Sequence, residues 1–101
     1  MTVPVRMHPD AESELEGAET YYFQIYPRLQ AMFRLEVKQF SEYVSIHPKM
    51  FARYEGEIRR YVLRGFPYSI YYEILPDEII IYALGYNSRR SRYWHNRTQK
   101  T

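Results

Sequence analysis

The chain has 101 residues, 46% hydrophobic and 26% charged, with a formal net charge of +2, which leaves room for one domain around one core. It lacks cysteine, and that excludes disulfide staples, thiol catalysis and cysteine-based zinc sites. No run approaches the roughly eighteen consecutive apolar residues of a membrane span, and the acid-rich first twenty residues do not read as a secretion signal, so a cytoplasmic protein without a membrane partner is expected.

The small net charge hides an asymmetry. Within residues 1–26, Asp10, Glu12, Glu14, Glu16 and Glu19 stand against a lone Arg6. Within residues 85–101, Arg89, Arg90, Arg92, Arg97 and Lys100 have no acid among them. The first helix is therefore expected to be a solvated acidic face, and the C-terminal end a basic surface suited to an acidic protein segment or nucleic acid. Twelve tyrosines add large rings with polar tips, a residue type that suits half-buried sheets and interfaces.

In chain order, Val3, Val5 and Met7 alternate with Thr2, Pro4 and Arg6, the period of a short strand. Pro9 is placed for the first position of a helix, and the acids after it favour the positive end of the helix dipole. Ala11, Leu15, Ala18, Tyr22 and Ile25 recur at steps of three and four, forming one apolar stripe. Pro27 interrupts the pattern and begins a second helix, in which Leu29, Phe33, Val37, Phe40 and Val44 continue the spacing until His47 and Pro48 end it. Two helices joined at one proline predict an antiparallel hairpin.

Residues 47–57, with Pro48 and Gly56, read as a loop. Strands are expected over 58–63, 68–75 and 78–84, the last two joined by turn chemistry at Pro76 and Asp77. Tyr68, Ile70, Tyr72 and Ile74 should share a face, and the last strand is apolar on both faces, as in a covered or central strand. The order is β-α-α-β-β-β. It predicts a single α+β domain over 1–101, with the helical hairpin packed on a mostly antiparallel four-stranded sheet.

Three segments, "HPDAESELEGAETYY", "IRRYVLRGFPYSIYYEI" and "IIIYALGYNSRRSRYW", in that order resemble the RelE/ParE superfamily of toxins from type II toxin–antitoxin modules. The likeness covers nearly all the chain and leans toward the ParE-like, plasmid-stabilisation branch. It implies a toxin that inhibits DNA gyrase and is neutralised by a cognate antitoxin through a disordered acidic segment. The sibling branch implies a ribosome-dependent endoribonuclease that cuts mRNA. A third reading is an inactive domain that only binds antitoxin. Where many relatives place histidine ahead of paired arginines, this chain has Tyr86.

The residues expected to meet a partner are Arg59, Arg60, Arg64, Tyr86, Arg89, Arg90, Arg92 and Trp94. Under the ribonuclease alternative, Arg59, Arg64 and Arg89 would hold phosphate and Tyr86 would carry the proton. An unperturbed phenol near pKa ~10 is a poor base at neutral pH, so its neighbours would have to lower that value. Alternation puts Arg59 with Tyr61 and Leu63, and Arg60 with Ile58 and Val62. Pairing of these arginines with Glu55, Glu57 or Glu73 is the competing structural role.

Of Phe66, Tyr68, Tyr71 and Tyr72, which read as sheet packing, only Tyr71 is expected to face outward. Trp94 reads both as the plug that docks the tail on the core and as a member of the partner surface. His8, His47 and His95 sit where capping or surface roles suffice. No metal or cofactor is expected.

Overall fold

In a computed structural model, which describes residues 2–88 and 93–98, the element order is β1 (Val5–Met7), α1 (Pro9–Ile25), α2 (Pro27–Ile46), β2 (Arg53–Glu55), β3 (Ile58–Val62), β4 (Tyr68–Ile74) and β5 (Ile79–Tyr86). A 3₁₀ turn, His95–Arg97, follows. His8 starts α1 by accepting a hydrogen bond from Asp10 N–H on Nδ1 at 3.0 Å, and Pro9 takes the first helical position. Tyr26 is the single extended residue between the helices: its N–H closes α1 on Tyr22 O, and its carbonyl opens α2 by accepting from Leu29 N–H. Pro27, with no N–H to satisfy, can follow at once. The hairpin is antiparallel: Tyr22 stacks on Phe33, and Arg34 forms a two-point ion pair with Glu19.

The sheet has five strands in the order β1-β5-β4-β3-β2, not four. The extra strand, β2, lies inside the segment expected to be loop. It is three residues long and reaches its partner through an irregular register, with Arg53 opposite Arg59 and Glu55 opposite Ile58. So short a strand has no periodicity to read. Gly56, at φ 56°, supplies the left-handed turn into β3. Pairing is antiparallel throughout except that β1 runs parallel to β5.

The helices cover one face of the sheet. Ala11, Ala18 and Tyr22 of α1 and Phe33, Val37, Phe40 and Val44 of α2 pack on Tyr68, Ile70, Tyr72, Ile79, Ile81 and Leu84. The opposite face carries a second core of Ile58, Tyr71, Ile80, Tyr82, Ala83 and Trp94. That is why β5 is apolar on both sides. Tyr82 has no partner in the β4–β5 register, which jumps from Ala83 opposite Tyr71 to Ile81 opposite Tyr72. The resulting bulge turns both Tyr82 and Ala83 toward the second core. No helix among the described residues is long and apolar enough to cross a membrane.

Candidate functional site

The arginines of β3 split as alternation requires. Arg59, on the helix side, donates from Nη1 to Phe51 O at 2.7 Å, pinning the loop after α2. Arg60, on the other side, donates from Nε to Ser69 Oγ at 3.0 Å, and the Ser69 hydroxyl donates in turn to Asn87 Oδ1. The Arg60 guanidinium rests on the rings of Tyr54 and Tyr71, 5.2 and 5.8 Å from their centroids. The expected pairing of these arginines with glutamates is not what is seen. Among the described residues their hydrogen bonds go to carbonyl and hydroxyl oxygens, while Glu73 is buried and accepts from Tyr82 Oη at 2.9 Å.

Arg64 follows β3 in a turn held from across the structure by Glu36, whose carboxylate accepts from Arg64 N–H, Gly65 N–H and Tyr61 Oη. Tyr86 ends β5 directly opposite Tyr68, and the two rings stack with centroids 4.5 Å apart. Burial, reinforced by the neighbouring Tyr86 phenol, pushes the Tyr68 phenol up, and burial also raises Tyr22. The phenols beside Tyr86 are thus held protonated. Arg89, Arg90 and Arg92 lie outside the described residues.

Trp94 is 1% exposed and stacks on Tyr71 at 5.4 Å, so its ring is taken up by the second core. Its place on the partner surface is corrected to the docking role. The same contact corrects Tyr71, which leaves the helix side of the sheet as expected but is covered by Tyr93 and Trp94.

The solvated acidic helix is corrected in part: Asp10, Glu12 and Glu16 are exposed, but Glu19 is buried, Glu14 is partly buried, and both are paired. Glu19 takes Arg34, and Glu14 takes Arg97 from the tail through Nη1···Oε1 at 2.9 Å and Nη2···Oε2 at 3.0 Å. β1 ends at Met7, opposite Ile81, so beyond that point this edge of β5 has no strand beside it. Glu14 and Arg97 take over there: Leu84 N–H donates to Glu14 Oε1, and Arg97 Nη1 donates to Tyr82 O. One carboxylate of the acidic helix and one guanidinium of the basic tail thus neutralise one another at the edge of the sheet.

Among the described residues, the predicted site residues Arg59, Arg60, Arg64, Tyr86 and Trp94 do not converge. What the structure assembles instead is an apolar groove along the outer side of α2. Met32, Leu35, Tyr43 and Ile46 form a second stripe on that helix, each about half exposed at 47–55%. Two hollows of about 590 and 650 Å³ share Tyr43 and Met50 as walls. Phe40, Phe51, Tyr61 and Phe66 floor the first, and Ile74 and Pro48 close the second. Arg64 stands on the wall of one and Lys49 on that of the other. Contiguous exposed apolar surface of this kind, with cations at its rim, marks a binding face. Among the described residues there is no group of three or more side chains suited to a metal ion.

Residues 5–91 match the model of the family described as the ParE toxin of the type II toxin–antitoxin system, parDE. The chain belongs to the ParE toxin family. No curated protein sequence matches it. Among solved structures, a chain of the chromosomal ParDE system from P. aeruginosa superposes with a TM-score of 0.72 at 15% identity, covering 84% of this chain and 96% of that one. It shares the fold. A chain of the archaeal RelE–RelB complex from Pyrococcus horikoshii OT3 matches with a TM-score of 0.47 at 21% identity, covering 89% of this chain and all of that one.

In this ParE-family chain the groove is what sequence reading missed. The signal was present: Met32, Leu35, Tyr43 and Ile46 lie outside the core stripe of α2 at spacings of three, eight and three. A helix with two apolar stripes needs two partners, and its own sheet satisfies only one.

Proposed function

We propose that the chain is a toxin that inhibits DNA gyrase and is neutralised by a cognate antitoxin, whose acidic, otherwise unstructured segment folds as an amphipathic helix in the α2 groove. The groove carries this reading: a ParE-family fold that leaves Met32, Leu35, Tyr43, Ile46 and Met50 exposed beside Arg64 and Lys49 fits a helix with an apolar face and acidic flanks. Gyrase binding rather than message cleavage is supported by the scatter of the cations among the described residues. Arg59 and Arg60 sit on opposite faces, and Tyr86 packs on another phenol instead of joining an acid–base pair.

The test is Leu35→Glu combined with Met50→Glu. Both residues are exposed, so folding should survive, while affinity for the product of the neighbouring antitoxin gene should fall by about a hundredfold or more. Unchanged affinity would move the antitoxin to another face.

A further inference from the structure

We infer that Arg60 is a prepared oxyanion site that takes a carboxylate side chain from an acidic protein partner, on the sheet face opposite the helices. The inference rests on how the guanidinium is held. Nε is committed to Ser69, a fully buried residue whose single hydroxyl proton is already given to Asn87, so its lone pair must face Arg60. The rings of Tyr54 and Tyr71 fix the plane of the group against one corner. Among the described residues neither Nη nitrogen has a hydrogen-bond partner. An arginine immobilised at Nε with both Nη groups open is a fork whose ordering cost is already met, and that fork matches two oxygens of one anion. Arg59 has no such freedom, since its Nη1 is spent on Phe51 O.

A carboxylate fits better than a nucleic-acid backbone. A polyanion needs a track of cations, and among the described residues of this side Arg60 has beside it only Arg97, already paired with Glu14 and Asp10. The exposed rings and methyls beside the fork, Tyr54 and Val62, suit neighbouring peptide side chains. Only the source of the carboxylate depends on the antitoxin reading. The site itself is tested on the chain alone, so either idea can fail without the other.

The experiment titrates isotope-labelled full chain with sodium acetate at constant ionic strength, following the Arg60 side-chain N–H signals and the Val62 amide by NMR. Saturable shifts centred on Arg60 are expected. Arg60→Lys keeps the charge but loses the fork, and should weaken the response at Val62 about tenfold. Ser69→Ala keeps the arginine but frees Nε, and should weaken binding about threefold. A linear, unsaturable response shared by other arginines, or an Arg60→Lys response equal to the wild type, overturns the site. Equal binding by Ser69→Ala overturns the role of the anchor, and dimethyl phosphate binding more tightly than acetate overturns the carboxylate assignment.

Discussion

Glu14→Ala removes the carboxylate that joins the first helix, the bare edge of β5 and the C-terminal tail. The side chains of Glu14 and Arg97 are 15% and 11% exposed, so water screens the pair poorly. Truncating one member of a buried, hydrogen-bonded pair costs about 3–5 kcal/mol, because the other charge stays behind in a dry place. Here the pair is only partly buried, and Arg97, left behind, keeps Tyr82 O and an ion pair with Asp10 at 3.5 Å, which puts the loss at the lower end, about 3 kcal/mol. For a domain of this size that is a fall in unfolding midpoint of about 12–24 °C. The assay is urea and thermal unfolding, with the fluorescence of the sole tryptophan, Trp94, as a second reading of whether the tail has left Tyr71. Glu14→Ala with Arg97→Ala should cost clearly less than the two single losses added together. A loss under about 1 kcal/mol with additive singles would refute the reasoning, since that is how a solvent-screened surface pair behaves.

Other perturbations probe other parts of the account. Burial pushes the Tyr61 and Tyr72 phenols up from 10.0 to about 12, so the stability they contribute is complete below pH 10 and is lost as pH rises toward 12. Urea midpoints falling across that window, together with phenolate absorbance that lags the unfolded chain, would bear this out; a flat midpoint would not. Glu36→Gln should cost about 1–3 kcal/mol in urea unfolding, because an amide cannot replace a carboxylate that accepts from two backbone N–H groups and a phenol. Arg89→Ala with Arg90→Ala should abolish toxicity in a growth assay with the unfolding midpoint unchanged. Tyr86→Phe should keep most toxicity, since its ring stack on Tyr68 survives; loss of toxicity there would favour the proton-carrier role.

Helix boundaries were legible because each is punctuated by proline, and core positions because two helical stripes and one alternating strand carried them. The α+β class and the order of the major elements followed. Three things lay beyond that reading for the same reason: they depend on pairs far apart in sequence. β2 exists because Gly56 lets the chain fold back on β3. Glu14 looked solvated because its partner, Arg97, is 83 residues away. Tyr71 looked exposed because alternation tells which face a residue takes, not whether a tail crosses that face. Among the expected site residues, Arg59 and Arg64 turned out to be tied to loops beside the α2 groove, while Trp94 belongs to the second core.

The most direct test adds the purified chain to DNA gyrase and plasmid DNA, and in parallel to ribosomes translating a message. Linear cleaved plasmid that accumulates with the chain and disappears on adding an equimolar amount of the neighbouring antitoxin is the predicted result. Intact plasmid alongside codon-phased cuts in the message would contradict it.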